Sequence, residues 1–414
     1  MSISRISTWF KDPITLLGFM NLFTMMQLTL YRTYLAIFLE FDIFVSILII
    51  SLILSSINFF QIFMRVPLAG FSQVIGRKSM ILFGNLFIAL AMISLVFTVH
   101  PVMAFFSSIL VGIGMSAHWP ATFAYIQDVS PNNYGKSNGR IFKIGDVGII
   151  IGSLSAKFLI DQVNIGLKNF FLILFIVGII SVLIFYLILP EVINPEEKIK
   201  VKGYLYFIKS SIGGMFVSIK NISRHPGMLI IFVFQFFVAF TEFIFSSLFA
   251  SLVKFKGFSD GTPAEIVFWA TLCLLWLKPY LGNLSDRFGF RYPIIFSLFT
   301  IGLVFLIMIN ISDIFFLVII YIIVTACLFI AYPAVNGATA QTASVSQRGM
   351  ALGALGVYTS LGRSTSTIAV YPIWEFFDIE FVFLFSGFFI IGIGFVLWFW
   401  SRTSQLSKSQ NAFN

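Results

Sequence analysis

The sequence predicts an all-α membrane protein with twelve transmembrane helices in two six-helix repeats, and three observations carry that expectation. Apolar runs of about twenty residues recur along the chain, each long enough to cross a bilayer as a helix. Lys and Arg gather in alternate segments between those runs. Two short stretches recur at an offset of about 214 residues.

Composition narrows the class. The 414 residues are 59% hydrophobic and 10% charged, and the mean hydropathy is +0.99. A soluble domain carries roughly a quarter charged residues. Alternating strand patterns are absent, which speaks against a β-barrel. The 53 Phe residues fit lipid-facing surface. Cys273 and Cys327 each lie in an apolar run and form no CxxC or metal spacing, so no cofactor is expected. The net charge of +9 is accounted for by cytoplasmic loops, and no nucleic-acid motif occurs. There is no metal-ligand cluster, nucleophile–base arrangement, nucleotide loop or ATP-binding domain, so an enzyme is not expected.

The first run, 13–39, follows Arg5 and Lys11; it lacks a small-residue cleavage site and should stay as a helix. The second, 44–73, ends before Arg77 and Lys78. The third and fourth occupy 79–99 and 101–127, with Asp128 closing the fourth ahead of Pro131. The fifth, 138–160, lies between Lys136 and Lys168, and the sixth is 168–190. The longest polar interruption, 191–226, divides the chain into a first bundle (1–190) and a second (227–414). Within it, "GYLYFIKSSIGGMFVSIKNI" is either an amphipathic surface segment or plain linker. The remaining runs are 227–253, 263–285, 292–310, 313–341, 349–373 and 378–402. With both termini in the cytoplasm, the outer segments hold only Lys157, Lys168, Lys254 and Lys256 among the loop cations. That asymmetry predicts cytoplasmic termini in a plasma-membrane protein, expected to be a monomer among lipids.

The repeat is visible in two places. "RVPLAGFSQVIGRK" (65–78) aligns with "KPYLGNLSDRFGFR" (278–291), setting Arg65 on Lys278 and Gln73 on Asp286. "SPNNYGKSNG" (130–139) aligns with "SVSQRGMALG" (344–353), and Gly148 then falls on Gly362. Here the sequence resembles the major facilitator superfamily. Its loop signature, Gly-x-x-x-Asp-Arg-x-Gly-x-Arg, is matched by Gly282, Asp286, Arg287, Gly289 and Arg291; the first copy keeps Gly76, Arg77 and a basic Lys78 but has Ala69 for Gly and Gln73 for Asp. The resemblance sets the eighth helix against the fifth. Asp286 would then meet the fifth helix's N-terminus, where free N–H groups and the dipole favour an anion, and latch the cytoplasmic side. It also makes Asp128 the partner of Arg77. The bland alternative is a solvated positive-inside loop. Gln73 without charge implies an uneven gate, held mainly by the fifth and eighth helices.

Ionisable residues inside membrane helices are costly and mark function by default. Asp146 and Lys278 lie about 12 Å deep by helical rise, on helices the resemblance makes neighbours. They form either a gate pair between the bundles, with Arg65 at similar depth, or Asp146 pairs locally with Lys143. Deeper, Gln235, Glu242 and Ser246 form one helical stripe, and Thr359, Arg363 and Ser366 another. Glu242 and Arg363 share a depth of about 21–23 Å and are expected to face each other, either as a permanent ion pair or as a coupling device in which substrate displaces Arg363 and Glu242 takes a proton. His118 is either a structural hydrogen bonder or a substrate and proton site. Arg32, with Thr29 and Thr33, and Gln27, with Tyr31 and Tyr34, offer two competing inward faces of the first helix. Trp276 and Asn336 are further cavity candidates.

The family's proton-driven exporters carry a glycine signature on the fifth helix. Gly139, Gly148 and Gly152 keep its spacing, but Ser153 replaces Pro and Ala156-Lys157 replace Gly-Gly; Ser108 stands near the family's fourth-helix arginine. Both departures weigh against proton-driven drug export. The expected function is secondary active transport of a small organic solute by alternating access, with protons as the candidate coupling ion and export slightly ahead of import. The alternatives are an uptake symporter and a non-transporting sensor or lipid-handling protein.

Overall fold

A computed structural model describes residues 12–130, 133–192, 226–288, 290–342 and 348–403. Within them are twelve long helices and no strand: α1 Pro13–Ile37, α2 Ile47–Ile75, α3 Arg77–Val96, α4 Pro101–Val129, α5 Tyr134–Lys157, α6 Gly166–Ile188, α7 Pro226–Phe255, α8 Thr262–Phe288, α9 Arg291–Met308, α10 Ile314–Thr342, α11 Arg348–Phe376 and α12 Ile379–Thr403. Short π-helical turns, Phe38–Asp42 and Phe158–Gln162, extend α1 and α5.

The helix starts follow local chemistry. Asp12 caps α1 by accepting from the Ile14 amide at 3.2 Å, with Pro13 in the first turn, where its missing N–H costs nothing. His100 and Pro101 do the same for α4. Gly76, at φ +111°, breaks α2 from α3 in a single residue, so α3 begins at Arg77, ahead of the expected start at 79. Pro67, Pro120, Pro333 and Pro372 lie inside helices, as membrane helices tolerate.

Nine of the described helices are long and apolar enough to cross a membrane. The other three are α5, α8 and α11. α5 carries Lys136, Arg140, Lys143, Asp146 and Lys157, and α11 is rich in Gly, Ser and Thr around Arg363. The polar helices are thus the ones the sequence marks for function.

The described residues fall into two compact units. The first takes those within 1–45, 59–212 and 259–271, and the second those within 46–58, 213–258 and 272–414. Relative to a division at 191–226, the start of α2 and the start of α8 change sides. Most of that segment, including the amphipathic stretch, lies outside the described residues.

In the first unit α1 packs on α5, and α3 on α4 and α6. One buried cluster joins Leu17 and Met20 of α1, Ile81 of α3, Ala121 and Tyr125 of α4, Ile141 of α5 and Phe185 of α6. In the second unit α7 packs on α11 and α9 on α12. The same close approach occurs in both. A Cβ on Gly148 would lie 2.1 Å from the Leu22 carbonyl oxygen, and one on Gly362 would lie 2.2 Å from that of Phe236. Gly148 and Gly362, and Leu22 and Phe236, are each 214 positions apart. The donor beside this contact repeats too, though its acceptor does not. Asn21 Nδ2 donates to the Ile141 carbonyl at 3.3 Å in one unit, and Gln235 Nε2, at the matching position, donates to Thr359 Oγ1 at 2.7 Å in the other. The internal duplication is therefore a duplication of helix-pair geometry.

Candidate functional site

In the second unit, three helices bring a charged pair and a phenol together. Gly362 lets α11 reach the α7 backbone at Phe236, which carries the next residue, Arg363, to the α7 surface. Arg363 Nε donates to Glu242 Oε2 at 2.6 Å. From α10, the Tyr332 hydroxyl donates to the same Glu242 oxygen at 3.0 Å and accepts from Arg363 Nη2 at 3.3 Å. The two charged side chains are only 15% and 13% exposed, so the pair sits in a largely dry environment. A charge there is tolerated only while its partner stays.

Tyr332 was missed in the sequence because a lone Tyr in an apolar run carries no periodic signal; its place beside Pro333 on the third helix of the site emerges only from packing. Two turns along α7 from Glu242, Gln235 reaches Thr359 of α11, while its buried Oε1 meets no hydrogen-bond donor among the described residues. The stripes expected on α7 and α11 therefore meet at two levels. Their third members turn back: Ser246 donates to the Phe243 carbonyl and Ser366 to that of Arg363.

The first unit uses its polar residues differently. His118 is fully buried. Its Nδ1 faces Asn85 Nδ2 at 2.9 Å, and Asn85 Oδ1 accepts from the Thr24 hydroxyl, so the imidazole proton is on Nε2. This contact ties α3 to α4, while the buried Nε2 meets no hydrogen-bond partner among the described residues. Gln27 donates to the Leu174 carbonyl at 2.8 Å, and the Tyr31 hydroxyl lies 3.1 Å from both Ser107 and Ser108. The Gln27, Tyr31 and Tyr34 face of α1 is thus buried within its own unit, whereas Arg32 is half-buried, with Nη2 3.9 Å from Met115 Sδ. Trp276 and Asn336 are exposed.

At the ends expected to face the cytoplasm, Arg77 Nε donates to Asp128 Oδ2 at 2.9 Å and its Nη1 to Ser72 Oγ at 2.5 Å. Glu191, another residue missed in the sequence, caps α3 by accepting from the Arg77 amide at 3.0 Å, close against Gly76. Gln73 is exposed and Arg65 half-buried. Buried Arg291 donates to the Trp398 carbonyl at 3.2 Å. Lys278 Nζ lies 4.1 Å from the Phe329 ring centroid, and Asp146 is buried while Lys143 is exposed. Asp146 and Lys278 belong to different units. The side chains of Gly282, Asp286 and Arg287, and the whole of Gly289, lie outside the described residues. Among the described residues no group of His, Cys, Asp and Glu is arranged to hold a metal ion.

Similarity to known proteins agrees with this architecture. The family model of the Major Facilitator Superfamily matches residues 17–277 and 231–413. The chain is 26% identical over 339 residues to Multidrug resistance protein 2 of Bacillus subtilis (strain 168), covering 80% of this chain and 81% of that protein. It is similar in fold to a crystal structure of a mutant nucleoside transporter NupG, with a TM-score of 0.78, 13% identity, and 93% and 99% of the two chains covered. A POT family transporter in complex with a thioalcohol-conjugated peptide superposes with a TM-score of 0.75 at 13% identity, over 94% and 96% of the chains. With twelve helices, a duplicated packing pattern and a family match spanning nearly its whole length, this chain belongs to the Major Facilitator Superfamily.

Proposed function

We propose that the chain is a secondary active transporter that exports a small, drug-like organic solute from the cell by alternating access, coupled to protons at Glu242. The observation that carries this reading is the half-dry Glu242–Arg363 pair bridged by Tyr332. A solute that draws Arg363 away removes the guanidinium from Glu242 in a medium that disfavours charge. Taking up a proton neutralises Glu242, so solute binding and proton binding become linked. The name of the Bacillus relative supports export over import, and this reading sets it above the departures at Ser108, Ser153 and Ala156-Lys157.

In this reading the bundles 1–190 and 227–414 rock about a midplane site. Asp286, Arg287 and the Asp146–Lys278 pair act at the cytoplasmic gate, together with the Arg77–Asp128–Glu191 network. The protein works as a monomer in the plasma membrane with both termini inside.

Ligand-dependent thermal stability tests the reading. Purified protein is screened against organic anions, amphiphilic cations, sugars and amino acids at pH 6 and pH 8. Selective, pH-dependent stabilisation that is lost in Glu242→Gln is the expected result. Stabilisation that is unchanged in that variant reduces the pair to a structural brace.

A further inference from the structure

A second charged cluster lies at the opposite end of the helices, where the transport site plays no part. Asp161 sits on the π-helical turn that extends α5. Its Oδ1 accepts from the Gly261 amide at 2.8 Å, and its Oδ2 accepts from Lys157 Nζ at 2.7 Å and from the Ser259 hydroxyl. Lys157 Nζ also reaches Glu265 Oε2 at 3.0 Å. Ser259 and Gly261 immediately precede α8, and Glu265 lies in its first turn. Gly261 has no room for a side chain, since a Cβ there would lie 2.6 Å from the Asp161 carboxyl carbon. Three groups at and just before the start of α8 thus converge on one carboxylate and one ammonium at the end of α5.

Two features suit this contact to opening. Residues 259–271 group with the first unit, whereas 272 onward in the same continuous helix group with the second. These bonds join the start of α8 to α5 within the first unit. The bonds are also of the right size. Asp161, Lys157 and Glu265 keep 17%, 27% and 31% of their side-chain surface exposed, so water can take over each bond at small cost. The matching position on α11, 214 residues beyond Asp161, is Glu375, which is exposed.

We propose that Asp161 and Lys157 form an outer latch that holds the start of α8 to the end of α5 and releases it once per transport cycle. The latch rests on the transport reading, but its test needs no solute. Deuterium exchange of the 259–271 amides is measured by mass spectrometry on the full chain in lipid nanodiscs. Three forms are compared: wild type, Asp161→Asn, and a double variant, Asp161→Cys with Ser259→Cys, made with Cys273 and Cys327 replaced by Ser and cross-linked by oxidation. A latch predicts exchange about threefold or more faster in Asp161→Asn, as expected for loss of a charged surface contact. It also predicts slower exchange than wild type in the cross-linked form, reversed by reduction. Wild-type exchange already as slow as in the cross-linked form would show a permanent brace and overturn the proposal. Unchanged exchange in Asp161→Asn would overturn it as well.

Discussion

Arg363 Nε lies 2.6 Å from Glu242 Oε2, and the Tyr332 hydroxyl hydrogen-bonds to both residues. Three helices of one unit share a single charge-neutral knot, so disturbing any one member is felt by the other two. Removing Arg363 leaves Glu242 without its counter-charge. Arg363→Gln is expected to cost about 3 kcal/mol, whereas the double variant with Glu242→Gln recovers most of that loss. Thermal unfolding of the three proteins in detergent measures the coupling; additive losses would show that the pair is not a unit.

Tyr332→Phe removes a hydrogen bond to a charged acceptor but keeps the ring and both charges. The expected loss is about 1.5–3 kcal/mol of stability at most, with binding of any stabilising ligand still dependent on pH. Ligand titrations at pH 6 and pH 8 check this. Loss of the pH dependence would assign the proton step to the phenol instead.

Glycine spacing on α5 separates packing from pattern. A Cβ at Gly148 or Gly362 meets backbone oxygen, whereas one at Gly139 meets nothing within 4 Å. Gly148→Ala and Gly362→Ala should each destabilise by about 1–3 kcal/mol through overpacking. Gly139→Ala should be neutral or gain up to about 1 kcal/mol from helix propensity. Melting temperatures of the three variants report the order.

Low pH should weaken the outer contact. Asp161 lies beyond the span expected for α5. Partial burial works against its charge, but hydrogen bonds from Lys157, Ser259 and the Gly261 amide outweigh it and hold the carboxyl below its ordinary value. A depressed carboxyl contributes stability above its unfolded pKa and loses it as pH falls through the folded one. Lys157, Glu265, Asp260 and Asp42 share its surroundings. Protection of the 259–271 amides, corrected for the intrinsic pH dependence of exchange, should therefore fall below the ordinary carboxylate range in wild type and change less in Asp161→Asn.

Much of this was legible in the sequence because hydrophobic length and charge asymmetry are summed over many residues. All twelve helices fall where the apolar runs lie. The Glu242–Arg363 pairing was readable because charges in apolar helices are rare and both lie at one depth. Tyr332 and Glu191 were not readable, since each acts through neighbours distant in sequence. The two faces of α1 could not be ranked from sequence, because Gln27 and Arg32 are polar alike. The Leu174 carbonyl and the Tyr31–Ser107–Ser108 bonds, which bury the first face within its own unit, depend on helices distant in sequence. His118 showed a related limit, since neither its burial nor the Asn85 beside it could be read from the sequence.

Proton coupling at Glu242 is tested most directly in proteoliposomes holding wild type or Glu242→Gln, with a stabilising solute and an imposed pH gradient. The expected result is gradient-driven accumulation by wild type and only downhill equilibration or exchange by Glu242→Gln. Undiminished accumulation by Glu242→Gln would contradict the assignment of the proton to Glu242.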